Sequence, residues 1–307
     1  MKRVAVLKGG MSSERDVSLI SGAACAKALR EEGYDVIEID VAPNLWEQLH
    51  EADPDVVFNA LHGDWGEDGR VQGVLDMFGA PYTHSGVMAS ALAMDKHRTK
   101  AVLRDVGINV SDGCLVSRRV AAEAHPMERP YVAKPNGQGS SYSIYIVKEG
   151  EAPAAAMAEN EAMGELILAE KFVPGRELTV AVMDGKALAV TEIIPQDEWY
   201  DYEAKYSDGG SRHVVPADLP QEVTDLCLTW AVLAHETLGC KGISRADFRY
   251  NDINDDLTDI VNKIVMLEVN TQPGMTPVSL APEQASYAGL SFSQLCRWIV
   301  EDASWPR

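Results

Sequence analysis

Short apolar runs alternate with helical patterns through the first 60 residues, and this alternation restricts the fold more than any other feature. An apolar run at residues 4–7 ends at Gly9, and a helical pattern follows it. Further apolar runs at residues 35–41 and 55–61 are typical of strands. Strands separated by helices pair in parallel, with the helices covering the faces of the sheet. The chain is therefore predicted to adopt an α/β fold with a mostly parallel sheet at its start.

The helix of this first unit is predicted to begin near Ser12 or Ser13, whose hydroxyls can accept a hydrogen bond from a backbone N–H of the first turn. Ile20, Ala24 and Ala28 recur at a spacing of four residues, which places them on one face of a helix. We expect this face to pack against the sheet.

Composition excludes several classes of function. Acidic residues outnumber basic ones by 47 to 27, and the net charge is −20. A nucleic-acid partner is not expected, because phosphate binding needs clustered lysine and arginine. No apolar run reaches the roughly 20 residues that span a bilayer, and the first residues lack the apolar region of a signal peptide. We expect a cytoplasmic protein with no membrane association, in which the five scattered cysteines form neither a zinc site nor a disulfide framework.

Three domains are predicted, over residues 1–95, 96–178 and 179–307. Within the third, residues 196–214 form a polar and aromatic segment that contains two adjacent glycines. This segment is too long for an ordinary turn between strands, and long connections are often functional. We interpret it as a mobile lid.

The most informative pattern lies on two predicted strands, residues 243–250 and 264–270. Side chains two residues apart lie on the same face of a strand. If the two strands pair, one face carries a guanidinium, two carboxylates and an amide, contributed by Arg245, Asp247, Glu268 and Asn270. Such oxygen ligands suit Mg²⁺ that bridges nucleotide phosphates. The alternative is a solvated face of a hairpin. The intervening positions are apolar and are predicted to face the core: Ala246, Phe248, Val265, Leu267 and Val269.

A second pattern is the lysine at position 134 followed by PNGQGSS, between predicted strands at 131–134 and 144–147. Backbone amides of a glycine- and serine-rich loop can approach phosphate oxygens, and Lys134 adds positive charge. The order differs from a Walker A loop, in which the lysine follows the glycines and precedes a helix. A plain flexible turn is the alternative.

Several segments together resemble one family. They read GGMSSERDVS at 9–18, ALHG at 60–63, GVMASAL at 86–92, MDK at 94–96, YDYEAKY at 200–206, GCKG at 239–242, LEVNT at 267–271 and SFSQL at 291–295. In this order and combination they resemble the D-alanine–D-alanine ligase family of the ATP-grasp superfamily, over essentially the whole chain. The resemblance implies an ATP-grasp fold of three α/β domains, with ATP held between the central and C-terminal domains.

The resemblance also implies a set of functional residues. The nucleotide would contact Lys96, Lys134, Ser141 and Lys205 through its phosphates, Glu170 and the backbone at Lys171 to Val173 through adenine, and Glu177 through ribose. Asp247, Glu268 and Asn270 would hold two Mg²⁺ ions, with Mn²⁺ as a possible substitute. The first substrate would contact Glu14, Val17 and His62, and the second Ser279 and the Leu280 amide. Arg245 and Gly274 would stabilise the oxyanion, while Glu14, Ser140 and Tyr206 would link three parts of the closed site.

The activity implied by the resemblance is ATP-dependent ligation of two D-alanine molecules through a D-alanyl phosphate, for bacterial peptidoglycan precursors. A homodimer is the expected assembly. Within the same fold, a D-alanine–D-lactate ligase or another carboxylate–amine ligase stays open, although Tyr206 favours D-alanine as the second substrate. A nucleotide-binding module without turnover is disfavoured by Arg245, Lys205 and Tyr206. A Rossmann-type dehydrogenase would need a GxGxxG motif, which the first unit lacks.

The chain departs from the family pattern in three places. Ser143 stands at the end of the phosphate loop, where glycine is common, and Gln272 stands where a small serine is frequent. The connector at residues 251–263 is longer and more acidic than in many relatives. None of these departures removes a chemical group that the reaction needs.

Overall fold

The structure is a computed structural model that describes residues 1–139, 143–195, 210–253, 259–276 and 278–307. Ser140, Ser141, Lys205 and Tyr206, which carry four of the predicted site functions, lie outside the described residues. Most of the predicted lid, residues 196–209, also lies outside them.

The N-terminal part contains a three-stranded parallel sheet in the order β2-β1-β3. Its strands are β1 (Arg3–Lys8), β2 (Asp35–Asp40) and β3 (Val56–Asn59). The helices of this part are α1 (Arg15–Glu31), α2 (Leu45–Ala52), α3 (Arg70–Phe78) and α4 (Val87–Met94). The parallel α/β arrangement predicted from the alternating pattern is confirmed.

The buried face of α1 differs from the prediction. Ile20 is 56% exposed and only Ala28 of the predicted stripe is buried. The buried face instead includes Ser18 and Ser21, whose hydroxyls contact the Ala60 carbonyl at 2.8 Å and the His62 ring at 3.0 Å. A serine is buried at low cost when its hydroxyl is hydrogen-bonded, and an apolar pattern does not detect it.

Asp95 lies between two consecutive helices. This residue ends α4 and begins α5 (Lys96–Asp105), because its carboxylate accepts a hydrogen bond from the Arg98 N–H at 3.0 Å. The Asn136 amide donates to the same oxygen at 2.9 Å. The break places Lys96 at the first position of a new helix, beside the glycine-rich loop.

A second sheet is antiparallel, in the order β4-β7-β5-β6. Its elements are β4 (Gly113–Ser117), α6 (Arg118–Glu123), β5 (Tyr131–Pro135), β6 (Tyr145–Val147) and β7 (Leu166–Lys171), with short 3₁₀ turns at Ala155–Glu159 and Glu161–Met163. The hairpin predicted around the glycine-rich loop is confirmed, because β5 pairs with β6.

A third sheet is also antiparallel, in the order β10-β9-β8-β11-β12. Its strands are β8 (Arg176–Met183), β9 (Lys186–Pro195), β10 (Ser211–Val214), β11 (Ile243–Tyr250) and β12 (Ile264–Asn270). The bounds predicted for the last two strands are confirmed. The last residues of the predicted lid, Ser211–Val214, pair with β9 as a regular strand, and the lid assignment stays a prediction.

The remaining helices pack against this sheet or against the N-terminal part. They are α7 (Gln221–Thr237), α8 (Ile260–Lys263), α9 (Leu280–Tyr287) and α10 (Phe292–Asp302). The buried side chains of α10 join those of α1 and β3 in one core cluster. None of the helices in the described part of the chain has the length and apolar character needed to cross a membrane. The predicted domain boundaries near 95 and 179 stay a prediction.

Candidate active site

One cleft is lined by residues from the N-terminal part, from the loop between β5 and β6 and from the C-terminal part that carries the third sheet. Ten of the predicted site residues line it: Glu14, His62, Glu177, Arg245, Asp247, Glu268, Asn270, Gly274, Ser279 and Leu280. Residues distant in sequence thus share a single solvent-filled space, which is the usual form of a small-molecule site.

The pairing of β11 with β12 sets the chemistry of one wall. Arg245 lies opposite Asn270, and Asp247 lies opposite Glu268, as the alternation predicts. The Arg245 guanidinium donates to both oxygens of Asp247, through Nε at 2.9 Å and Nη2 at 2.8 Å. The Thr179 hydroxyl of β8 donates to Asp247 Oδ1 at 2.6 Å. This carboxylate is therefore held in one orientation.

The alternation fails one residue beyond this pair. The register shifts between Asp247 and Phe248, so that Phe248 lies opposite Met266 and Leu267 becomes the extra residue of a β-bulge. Met266 and Phe248 are fully buried together, whereas Leu267 is only half-buried. The prediction that Leu267 faces the core is wrong, because Leu267 is the bulged residue and Met266 takes the place opposite Phe248.

The oxygen-rich wall fits a divalent cation by its donor set. Asp247 and Glu268 supply carboxylates and Asn270 supplies an amide oxygen, which are hard ligands of the kind that Mg²⁺ takes when phosphates complete its shell. Among the described residues, no group of three or more His, Cys, Asp or Glu is arranged to hold a metal ion, and the third donor of this wall is an asparagine. Lys96 Nζ lies 3.3 Å from a Glu268 oxygen and donates to the Gln138 carbonyl at 2.7 Å.

Two lysines clamp the predicted adenine residue Glu170. Lys134 Nζ lies 2.5 Å from one carboxylate oxygen, and Lys100 pairs with the other. Burial alone would raise the pKa of Glu170, but the charges and hydrogen bonds of the two lysines outweigh it and lower the pKa to about 2. Burial lowers the pKa of Lys100 to about 8, against the attraction of Glu170. Burial also acts to lower the pKa of Lys134, but Glu170 and Glu268 outweigh it and raise it.

The predicted ribose residue Glu177 is positioned by Arg249. Arg249 Nη1 lies 3.4 Å from a Glu177 oxygen. Its Nε and Nη2 donate to the carbonyls of Val173 and Gly175 at 3.1 and 2.6 Å. Lys171 ends β7 with its side chain exposed and its N–H donated to the Asp112 carbonyl. One guanidinium thus ties the Glu177 carboxylate to the strand connection that carries Val173.

The opposite wall holds the predicted first-substrate residues. Glu14 is buried at the start of α1, and an added Cβ on Gly63 or Gly139 would lie 2.8 or 2.7 Å from its Oε1. Gly63 also has a positive φ of 68°, a backbone conformation that favours glycine. Val17 is buried one turn further along α1 and does not line the cleft. The His62 ring lies between Glu67 Oε1, 3.1 Å away, and Ser21 Oγ, 3.0 Å away.

The predicted second-substrate residues lie where α9 begins. Ser279 precedes the first helical residue, Leu280, and its hydroxyl oxygen accepts the Thr276 N–H at 3.0 Å. An added Cβ on Gly274 would lie 2.9 Å from Ser279 Oγ. Backbone N–H groups at a helix start favour a carboxylate. The glycine predicted to stabilise the oxyanion, Gly274, is therefore adjacent to a helix start that suits an acid group.

Comparison with known proteins agrees with this geometry. A family model described as "D-ala D-ala ligase C-terminus" matches residues 103–301, and one described as "D-ala D-ala ligase N-terminus" matches residues 42–85. A D-alanine–D-alanine ligase of Ruegeria sp. strain TM1040 is 53% identical over 100% of this chain and 98% of that protein. One of Gluconobacter oxydans is 55% identical over 98% of this chain and 99% of that protein. The chain belongs to the D-alanine–D-alanine ligase family.

Solved structures extend this relationship to the fold. The D-alanine–D-alanine ligase of Bacillus anthracis has a TM-score of 0.83 at 31% identity, covering 98% of this chain and 97% of its own. The same enzyme complexed with ATP has a TM-score of 0.80 at 28% identity, with the same coverage. The ATP-grasp fold expected from the sequence is confirmed, and so is the family.

Three residues of this family member were missed from the sequence although they contact predicted site residues. Lys100 lies one helical turn from Lys96, a spacing that could have indicated it. Arg249 continues the every-second-residue series of Arg245 and Asp247 on β11. Glu67 gave no local signal, since it meets His62 only through the fold of its loop. Burial, which is the largest effect, raises the pKa of Glu67, and the nearby Glu14 charge adds to it.

Proposed function

We propose that this chain joins two D-alanine molecules to D-alanyl-D-alanine at the expense of ATP, for peptidoglycan precursor synthesis. The observation that carries the proposal is the shared cleft, which Glu14, Arg245, Glu268 and Ser279 line together. Donors for a first substrate, a cation, an oxyanion and a second substrate are thus within one space, in a chain of the ligase family.

The first half-reaction activates a carboxylate, which by itself is a poor acyl donor. A carboxylate oxygen of the first D-alanine attacks the γ-phosphorus of ATP, the bond to the β–γ bridging oxygen breaks, and ADP leaves. Lys96 and Lys134 offset the negative charge in this transfer. Asp247, Glu268 and Asn270 would hold Mg²⁺, or Mn²⁺ in its place, which when bound neutralises phosphate charge. The role of Glu14 is to bind the ammonium of the first D-alanine.

The nucleotide base is held by Glu170 and the backbone near Val173, with Glu177 at the ribose. This assignment is supported by the two lysines that keep Glu170 ionised. It is also supported by Arg249, which joins Glu177 to the Val173 carbonyl. An ionised carboxylate accepts hydrogen bonds, so it suits the amino group of adenine.

The second half-reaction forms the amide. The neutral amine of the second D-alanine attacks the acyl carbon and the carbon–oxygen bond to phosphate breaks. The departing phosphate takes the electron pair of that bond and the proton that the amine loses. Arg245 and the Gly274 N–H stabilise the oxyanion that develops. Ser279 and the Leu280 N–H bind the carboxylate of the second D-alanine.

A closed site protects the acyl phosphate from water. We assign this role to the segment at 196–209, with Lys205 directed to the γ-phosphate and Tyr206 linked to Ser140 and Glu14. The assignment comes from the family resemblance. The same resemblance supports a homodimer, and the need for ATP supports a cytoplasmic location.

The test is product analysis with purified protein, ATP and Mg²⁺. We expect phosphate release that depends on D-alanine, and D-alanyl-D-alanine as the product identified by mass spectrometry. L-Alanine and D-lactate, offered in competition at pH 6 and pH 8, should be poor acceptors. Predominant ester at either pH would assign the chain to the D-alanine–D-lactate ligases instead.

A further inference from the structure

Gln272 connects the two walls of the cleft. It follows β12 by two residues and is 2% exposed, at the boundary with the loop that follows β3. Its Oε1 accepts a hydrogen bond from Asn59 Nδ2 at 2.7 Å, and its Nε2 donates to the Leu61 carbonyl. Both partners belong to the N-terminal part, whereas Gln272 itself continues the strand that carries Glu268 and Asn270.

The backbone of the same residue reaches the predicted cation site. The Gln272 N–H donates to Asn270 Oδ1 at 2.7 Å, which sets the orientation of the Asn270 amide. The side chain of Gln272 therefore contacts the segment that leads into His62, and its main chain contacts Asn270 of the predicted cation site.

The Asn59 amide also makes hydrogen bonds to the loop that follows β3. Its Nδ2 also donates to the Gly66 carbonyl at 3.0 Å, and its Oδ1 accepts the Leu61 N–H at 3.2 Å. His62 and Glu67 lie directly beside these anchored residues, and the Ser12 hydroxyl holds the His62 carbonyl at 2.6 Å. A shift of this loop relative to β12 must break buried hydrogen bonds, which is costly because their partners are left unpaired.

We propose that Gln272 is a positioning residue that sets the distance between the first D-alanine and the cation site. This inference rests on the proposed function, because it concerns the carboxylate that attacks the γ-phosphorus. A glutamine amide suits the role, since it offers one acceptor and one donor at the end of the same side chain. Serine is too short to make both contacts from position 272.

The experiment is a steady-state analysis of Gln272→Met, which keeps the side-chain length and removes both hydrogen bonds. Initial rates over a wide range of D-alanine are fitted with separate constants for the first and second molecule. We expect the KM of the first D-alanine to rise roughly 10-fold and kcat to fall, as for loss of one or two buried hydrogen bonds. The KM values of ATP and of the second D-alanine should stay within about twofold.

Gln284→Met is the matched control. Gln284 is also fully buried, and its amide makes two hydrogen bonds, with the Ala181 N–H at 2.7 Å and the Thr179 carbonyl at 3.2 Å, both on β8. Its replacement should lower the thermal midpoint without changing the KM of the first D-alanine. Gln272→Ser gives the same test if Gln272→Met does not fold.

Two failures are distinguishable. If the parent chain releases no phosphate with D-alanine, the proposed function is wrong. If the parent is active but both folded Gln272 variants keep the first KM within twofold, the positioning role is wrong. An equal change in all three KM values would also overturn it, because a general loss of structure would then explain the effect.

Discussion

The two walls of the cleft differ in how their residues come together. The cation wall is built from two paired strands, so Asp247 and Glu268 face each other directly across the pair. The first-substrate wall gathers Glu14, Ser21, His62 and Glu67 from α1 and from the loop after β3. Strand pairing fixes the first set through backbone hydrogen bonds, whereas the second depends on buried side-chain hydrogen bonds. We therefore expect distant substitutions to disturb the second wall more than the first.

The largest effect is expected for Glu268→Gln on the cation wall. The substitution removes one negative charge next to Lys96, 3.3 Å away, while it preserves shape. Ligation should be abolished and the thermal midpoint little changed, because the strand pairing is backbone-based. The same replacement at Glu301, an exposed partner of Arg297, is the control for loss of a carboxylate. Near-normal turnover of Glu268→Gln at ordinary Mg²⁺ would remove the cation site from this wall.

Arg245→Lys should have the next largest effect. Lysine keeps the charge but cannot make the paired contact with Asp247 that Nε and Nη2 make. We expect turnover to fall roughly 100-fold, as for removal of an oxyanion donor, with little change in ATP binding. Single-turnover rates and nucleotide titration measure the two effects separately. Weaker ATP binding with normal turnover would place Arg245 at the nucleotide instead.

Lys100→Met tests the predicted nucleotide site in the same way. The variant leaves one Glu170 oxygen without its lysine in a buried site, although Lys134 still binds the other. We expect the KM of ATP to rise roughly 10-fold, which corresponds to about 1.4 kcal/mol. The KM of the first D-alanine should not change, since Lys100 does not line the cleft. Arg98→Met, on the exposed face of the same helix, is the control, and an equal rise in both constants would argue for general distortion.

The smallest effect on activity is expected for replacement of His84, which lies in the N-terminal part. Among the described residues its ring nitrogens have no hydrogen-bond partner, and burial, aided by Arg307 and His62, lowers its pKa to about 3. The unfolded chain binds a proton below pH 6.5 that the folded chain does not, so stability falls as pH falls. Between pH 6.5 and pH 5, the His84 titration lowers the free energy of unfolding by about 2 kcal/mol.

His84→Asn removes that titration and suits the positive φ of 65° at this position. Chemical denaturation at pH 7 and pH 5 should show a smaller loss of stability on acidification than in the parent. Activity at pH 7 should be unchanged. An unchanged pH dependence would show that the His84 ring is accessible to water in the folded protein.

Local patterns of the sequence were enough to predict the β11–β12 strand pair and the shared face of its four polar residues. Alternation along β11 and β12 predicted which side chains share a face, and the strand bounds were correct. The same reasoning failed at Leu267, because nothing in the local pattern indicates the bulge after Asp247. It also failed for α1, where hydrogen-bonded serines occupy the buried face and Ile20 is exposed. The catalytic roles assigned to the site residues stay predictions.

By itself, the sequence determined the α/β class, the polar face of the β11–β12 pair, the glycine-rich hairpin and the family, because each depends on short spacings or on residue identity. Only the tertiary structure decided which partners these groups meet. Lys100 and Lys134 converge on Glu170, and Gln272 joins Asn59 to Asn270, across long separations in the chain. The Lys134–Glu170 contact arises because β5 and β7 pair in one sheet, and the Gln272–Asn59 contact arises because the third sheet packs against the N-terminal part. Buried polar groups must find partners within the protein once they are removed from water, and the tertiary structure decides which partners are near.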